Sequence, residues 1–277
     1  MDRVTSQDGT SIAYERSGSG PGLVLVSGAL GDGTEHVRLA AELSRRFTVL
    51  NYARRGRGDS GDILPYAVER EFEDLAALIQ TLDEPRYLYG KCSGGALTLE
   101  AVAAGLTGIE KIAVYDVPYN MSAEWSRRRR DYADALQTTL AAGERGAALE
   151  LFFRMVAKSD EGVVQARSEP FSNDALSIAH TLAYDAACLG SGQPNLARLA
   201  TIRQPTLVLT GTAGRAPNAG MWVTGMDRAA EVMVASLSLG RRGVLEGQKH
   251  FPDPAVLAAA LAEFFADCSE NNGDHVG

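Results

Sequence analysis

The 277-residue sequence predicts an α/β fold built on a mainly parallel sheet. Short runs that are apolar throughout, such as Gly22–Val26 (Gly-Leu-Val-Leu-Val), read as strands covered on both faces, as the central strands of parallel sheets are. Between them lie longer segments with helical period. The clearest places Val68, Phe72, Leu75, Ile79 and Leu82 on one face by steps of four and three. Glycine-rich turns follow several of the strands, at the ends where α/β sheets carry their sites.

In chain order, residues 11–16 alternate polar and apolar as a half-exposed strand does, and Asp8-Gly9 before them is a hairpin signal. Gly22–Val26 runs into the flexible loop Ser27-Gly28-Ala29-Leu30-Gly31-Asp32-Gly33. A helix is expected over 34–46 and a second buried strand over 47–52. The loop Arg54-Arg55-Gly56-Arg57-Gly58-Asp59-Ser60-Gly61-Asp62 has the glycine and arginine of a phosphate-binding turn, but no lysine with serine or threonine at P-loop spacing, so it reads as a structured turn. An amphipathic helix over 66–82 leads to the strand before Gly90. A helix over 95–106 and a strand over 109–115 follow, ending at Asp116-Val117-Pro118. From 117 to 199 the rhythm stops and only helical patches remain, consistent with an all-helical insertion. It resumes with a strand over 205–211, a helix near 226–237, a strand near 242–245 and a helix over 254–266. Residues 1–116 and 200–268 therefore form the expected core, 117–199 a helical cap and 269–277 a disordered polar tail.

The chemistry centres on Tyr89-Gly90-Lys91-Cys92-Ser93-Gly94-Gly95, a strand, a tight turn and a helix start. Gly-x-Cys-x-Gly is the pattern of a nucleophile elbow, where flanking glycines let strand and helix pass closely around a strained apex. The apex cysteine lies at a helix N-terminus, whose unpaired N–H groups favour a thiolate. A free cysteine is more often a small buried hydrophobe, but this position sets Cys92 apart from Cys188 and Cys268.

The net charge of -8 and a pI near 5.1 argue against nucleic acid or an anionic membrane as partner. Met1-Asp2-Arg3-Val4 does not resemble a secretion signal and no apolar stretch approaches a membrane span, so a cytoplasmic location is expected. The three widely spaced cysteines suggest neither a disulfide framework nor a metal site, and no cofactor is expected. Arginine far outnumbers lysine among the 27 basic residues, a hint of a GC-rich bacterial genome.

Together, the strand before Ser27-Gly28, the Arg55-Gly56-Arg57-Gly58-Asp59-Ser60 loop, the elbow, and Gly247-x-x-His250 before a terminal helix resemble the α/β-hydrolase superfamily over almost the whole chain. The resemblance implies an eight-stranded, mainly parallel sheet with a helical cap after the sixth strand, and a nucleophile, an acid and a histidine as triad. Cysteine at the elbow is similar to dienelactone hydrolases and the cysteine-type acyltransferases and polymerases of that superfamily. Ser27-Gly28 stands where His-Gly is frequent, which leaves the Ala29 N–H, with that of Ser93, as the oxyanion donors. No Asp or Glu occurs between Pro205 and Met226, where the acid usually lies; Asp116 is the favoured substitute, with Asp227 and Asn218 as alternatives. His250 is the histidine in the right order.

The implied function is a cysteine-dependent hydrolase of a small-molecule ester, lactone or thioester through an acyl-cysteine. An acyltransferase or cyclase using the same triad, or a non-acyl lyase or binding protein on this scaffold, remain alternatives. Trp125, Met121 and Phe152 are candidates for an apolar substrate wall, or equally for cap core. The run Arg127 to Arg130 fits an anionic or carrier-protein-bound substrate, or a solvated helix face.

Overall fold

The computed structural model describes residues 1–157, 160–167, 174–214 and 225–267. Asn218, Cys268, His275 and the expected tail over 269–277 lie outside them. The described chain forms β1 (Asp2–Thr5), β2 (Ser11–Ser17), β3 (Gly22–Val26), α1 (Val37–Leu43), β4 (Thr48–Tyr52), α2 (Val68–Ile79), β5 (Arg86–Lys91), α3 (Ser93–Ala103) and β6 (Lys111–Tyr115). Then come α4 (Ala123–Ala141), α5 (Arg145–Val156), α6 (Asp160–Arg167), α7 (Leu182–Leu189) and α8 (Leu196–Leu199). The chain returns to the sheet with β7 (Thr206–Gly211), α9 (Met226–Ser236), β8 (Gly240–Leu245) and α10 (Pro254–Ala266).

The eight strands form one sheet in the order β1-β2-β4-β3-β5-β6-β7-β8. Only β1 and β2 run antiparallel to their neighbours. Alternation along the buried strands divides the core into two layers, as the two-residue period of a strand requires. Val24, Leu88, Val114 and Val208 face the layer that holds Leu75, Leu97 and Met233 of α2, α3 and α9. Leu25, Tyr89, Tyr115 and Leu209 face Leu39 of α1 and Leu261 of α10 on the other side. The continuously apolar composition of these strands is thus the mark of two covered faces.

Most predicted elements form within a few residues of their expected bounds, and β3 and α10 match them. Asp253 explains the sharp start of α10: its carboxylate accepts the Ala255 N–H at 2.8 Å, with Pro254 in the first turn. The stretch over 34–46 divides into a 3-10 turn, Thr34–His36, and α1. Strand β1 escapes the sequence reading because it is an edge strand, largely exposed, without an apolar face of its own.

The strand order reverses between β3 and β5, with β4 on one side and β6 on the other. This is the switch point at which the loops leaving two neighbouring strands diverge and open a crevice. Leu261, fully buried on α10, tests the covered inner layer: Leu261→Ala should lower unfolding free energy by about 2–5 kcal/mol in urea titration, whereas Val256→Ala on the exposed face of the same helix should change it by less than about 0.5 kcal/mol.

Candidate active site

Strand register assembles the site. Val26 pairs with Gly90 and Lys91 with Tyr115, so the loop after β3, the turn after β5 and the end of β6 emerge side by side. A Cβ on Gly28 would lie 2.8 Å from Cys92 Cβ, which sets the Ser27-Gly28-Ala29 loop directly against the thiol. The Cys92 N–H donates to the Tyr115 carbonyl at 3.0 Å, bringing Asp116 next to it.

Cys92 is the apex of the turn, with φ 55° and ψ -129°. Glycine is needed on both sides: a Cβ at Gly90 would meet the Gly94 carbonyl at 2.5 Å, and one at Gly94 would meet the carbonyls of Val26 and Ser27 at 2.4 Å. Leu30 and Asp116 share the left-handed backbone, with φ 57° and 47°. These are the non-glycine residues with positive φ among the described residues, and all three border the same site, where strained backbone is characteristic of function.

His250 and Asp116 join Cys92 here. His250 Nδ1 lies 3.2 Å from Asp116 Oδ2, while Asp116 Oδ1 accepts the Gly211 N–H at 3.2 Å. The loop carrying His250 is anchored by the Tyr115 hydroxyl, which donates to the Lys249 carbonyl. The other ring nitrogen of His250 faces the sulfur. Burial alone would push the Cys92 thiol up, but the His250 hydrogen bond and charge, the Lys91 ammonium and the Ser93 N–H together hold it below the ordinary thiol range. Burial would lower His250; its hydrogen bonds to Asp116 and Cys92 outweigh that and raise it. Both directions favour a thiolate beside an imidazolium.

Of the alternative acids, Asp227 is engaged elsewhere. Its Oδ1 accepts from Thr210 Oγ1 at 2.8 Å and from Arg242 Nη2 at 3.1 Å. His180 is 3.2 Å from Asp62, away from the elbow, and Cys188 is buried with its thiol pushed up to about 12. The Ser93 hydroxyl does not face the crevice: it donates to Asp185 Oδ1 at 2.7 Å in the interior, leaving its N–H beside the sulfur. Trp125 and Phe152 pack in one cluster with Leu30, and Ala29 lies against it. Met121 packs instead against the sheet layer that contains α3.

Lys91 and Asp185, to which the sequence reading assigns no role, complete the arrangement together with the arginine loop read as a structured turn. Lys91, immediately before the nucleophile position, is buried with Nζ 3.3 Å from the Phe251 ring centroid, a cation-π contact that keeps a positive charge near the thiol. The Arg54-Arg55-Gly56-Arg57 loop binds carboxylates of the protein itself. Arg54 holds Glu71 through Nε and Nη2 at 2.7 and 2.8 Å, and it donates from Nη1 to Asp185 at 2.8 Å and to the Ser27 carbonyl at 3.2 Å. Arg57 donates to both Asp185 oxygens at 3.0 and 2.9 Å and to the Gly28 carbonyl at 2.6 Å. Arg55 binds Asp74 and Asp8. Burial alone would raise the Asp185 carboxyl, but Arg57, Arg54 and the Ser93 hydroxyl keep it low and charged. Asp185 stands on α7, so that helix and the two arginines grip the peptide units on either side of Gly28 and orient the N–H of Ala29.

The sequence profile of the alpha/beta hydrolase family matches residues 23–260. The fold is similar to an alpha/beta hydrolase from Sphaerobacter thermophilus, at 40% identity over 95% of this chain and 100% of that one, with a TM-score of 0.83. At 23% identity it shares the fold of a thermophilic esterase from Thermogutta terrifontis, with a TM-score of 0.69 over 95% and 97% of the two chains. At 19% identity it shares that of an enol-lactonase from Burkholderia xenovorans, with a TM-score of 0.66 over 96% and 100%. The uncharacterized hydrolase YraK of Bacillus subtilis is 34% identical over 96 residues; the matched stretch spans about a third of either protein, 33% of this chain and 35% of that one.

Two measurements probe this geometry. Iodoacetamide alkylation of Cys92 should stay fast as pH falls below the ordinary thiol pKa of about 8.5 and be lost only through the depressed value; Cys188 should remain unmodified at neutral pH, and His250→Ala should move the Cys92 profile to higher pH. Asp185→Asn leaves two buried guanidinium groups short of charge. It should destabilise the fold by about 3 kcal/mol or more in denaturant titration.

Proposed function

The chain belongs to the alpha/beta hydrolase family, and from that premise we propose that it is a cysteine-dependent hydrolase of an ester, lactone or thioester, working through an acyl-cysteine intermediate. The observation that carries this reading is the Cys92, His250 and Asp116 array at the strained turn, with the thiol lowered and the imidazole raised.

In the first half of the reaction the Cys92 thiolate attacks the acyl carbon. A C–S bond forms as the carbonyl electron pair moves onto oxygen. The Ser93 and Ala29 N–H groups receive that charge, and their value lies in being fixed beforehand. Arg54 and Arg57 supply the fixing through the carbonyls of Ser27 and Gly28. As the tetrahedral species collapses, the bond to the leaving oxygen or sulfur breaks and His250 gives that atom its proton. Asp116 holds the imidazole in the orientation and tautomer that this transfer needs. Neutral His250 then takes a proton from water, hydroxide adds to the thioester carbon, and the Cys92 thiolate leaves with the carboxylic acid as product.

Cysteine suits activated acyl groups. A thiolate is itself a good leaving group, so an adduct with a poor leaving group such as an amide nitrogen reverts to substrate. Lysine at position 91 strengthens the same bias: it favours the thiolate and lowers the basicity of His250, at the expense of nucleophilic strength. Trp125 and Phe152 form the walls of the acyl site through the cluster shared with Leu30, while Met121, packed against the sheet layer that contains α3, is not part of them.

The test is trapping with intact mass on a panel of phenyl esters and enol lactones. An acyl adduct on Cys92 is expected, absent in Cys92→Ala, with kcat/KM reduced about 10²- to 10⁴-fold in His250→Ala. Hydrolysis that survives Cys92→Ala, with no adduct in the parent protein, would sink the proposal.

A further inference from the structure

The four consecutive arginines of α4 do not share one environment. Arg127 and Arg130 are exposed, and Arg128 donates to the Arg154 carbonyl at 2.9 Å. Arg129 turns inward and is only 6% exposed. It lies on the helix face that also carries Trp125 and Ser126, four and three residues earlier, and Tyr132, three residues later. Its guanidinium carbon is 5.4 Å from the Tyr132 ring centroid.

Among the described residues, neither Nε nor Nη2 of Arg129 has a hydrogen-bond partner, and no carboxylate pairs with it. Trp125 Nε1 and Ser126 Oγ, on the same face, are also buried without partners. A buried guanidinium is costly unless its donors are met, so a pair of buried donors that the protein's own groups leave unmet is suited to an acceptor from outside the chain. Nε and Nη2 form one edge of the guanidinium fork. By that same edge Arg54 holds the two oxygens of Glu71, at 2.7 and 2.8 Å. The edge on Arg129 therefore has the donor geometry of a carboxylate site.

Its position ties it to the thiol. Trp125 and Tyr132 pack in one cluster with Leu30 of the loop after β3, so this face of α4 lies over that loop. The Arg129 charge is near enough to be felt at Cys92 and at Asp185. Asp185 does not satisfy it, because its oxygens are taken by Arg54, Arg57 and Ser93. The stem is held in place by Gly192, where a Cβ would lie 2.7 Å from Arg129 Cγ and 2.6 Å from Trp125 Nε1.

We infer that Arg129 binds a carboxylate borne by the acyl part of the substrate, so that the enzyme acts on half-esters or lactones of dicarboxylic acids. This rests on the hydrolase reading of the same site. The carboxylate sits on Nε and Nη2, with Trp125 Nε1 and Ser126 Oγ as further donors, and the remote charge orients the acyl carbon at Cys92.

Kinetics and binding test it separately. For the enzyme, kcat/KM is measured on phenyl hydrogen glutarate and on the neutral phenyl pentanoate. The acid should be preferred by roughly 10- to 100-fold, and that ratio should collapse in Arg129→Leu and persist in part in Arg129→Lys. For binding, Cys92→Ala protein is titrated calorimetrically with glutarate and with glutaramide. Glutarate alone should bind, and the double variant Cys92→Ala/Arg129→Leu should lose it. The melting temperature of Arg129→Leu without ligand should be unchanged or higher, because an unmet buried charge has been removed. Equal turnover of acid and neutral ester, a preference that survives Arg129→Leu, or a lower melting temperature with both substrates falling together would overturn the inference. Hydrolysis of both esters without preference would end the carboxylate site and leave the hydrolase reading intact. Glutarate binding that depends on Arg129, with neither ester hydrolysed, would do the reverse.

Discussion

One carboxylate, Asp185, holds together the parts of the site that come from different regions of the chain. Its two oxygens receive Arg54, Arg57 and the Ser93 hydroxyl, all in the interior. The arginines in turn donate to the Ser27 and Gly28 carbonyls. The loop after β3, the start of α3 and helix α7 are thereby fixed to one another by charge-assisted bonds in a region that water does not screen. Removing any one of the charged members leaves unbalanced charge where it is most costly. With Glu71 included, two guanidinium groups face two carboxylates, which is why the cluster can be buried at all.

The acid at the end of β6 follows from the same economy of position. Parallel register sets the ends of β5, β6 and β7 in a row, so a carboxylate after β6 and one after β7 approach the histidine loop from adjacent strands. This chain has no Asp or Glu in the loop after β7 until Asp227, and Asp227 is turned to Thr210 and Arg242. Asp116, at the end of β6, places one oxygen on His250 and the other on the Gly211 N–H, so the end of β7 still contributes through its backbone.

Much of this was legible in the sequence because it depends on local pattern. Apolar runs gave the strands, and the spacing of Gly90, Cys92 and Gly94 marked the turn. Cys92 and His250 stood out through the elbow motif and the triad order implied by the resemblance to α/β-hydrolases, and Asp116 as the favoured substitute for an acid missing after β7. The partner of the arginine loop was not legible. Asp185 lies 131 residues from Arg54 within Ala-Tyr-Asp-Ala-Ala-Cys, a stretch whose only visible feature is helical composition. Arg54 and Arg57 therefore read only as part of a structured turn, when they are the charge partners of a distant helix. Likewise the run Arg127 to Arg130 presents four equal letters. Only the helix phase, fixed by packing of Trp125 and Tyr132, separates the inward Arg129 from its neighbours.

The origin of Asp185 outside the sheet sets limits on recombination. In a fold whose interstrand helices touched the sheet only through apolar side chains, a chimera could exchange residues between β6 and β7 for those of a relative and keep its chemistry. Here such a graft would also remove the counter-charge of two arginines that stay behind on the sheet side. Exchange of this segment is therefore linked to positions 54 and 57: the incoming helices must bring an acid to the place of Asp185, or the arginines must change with them.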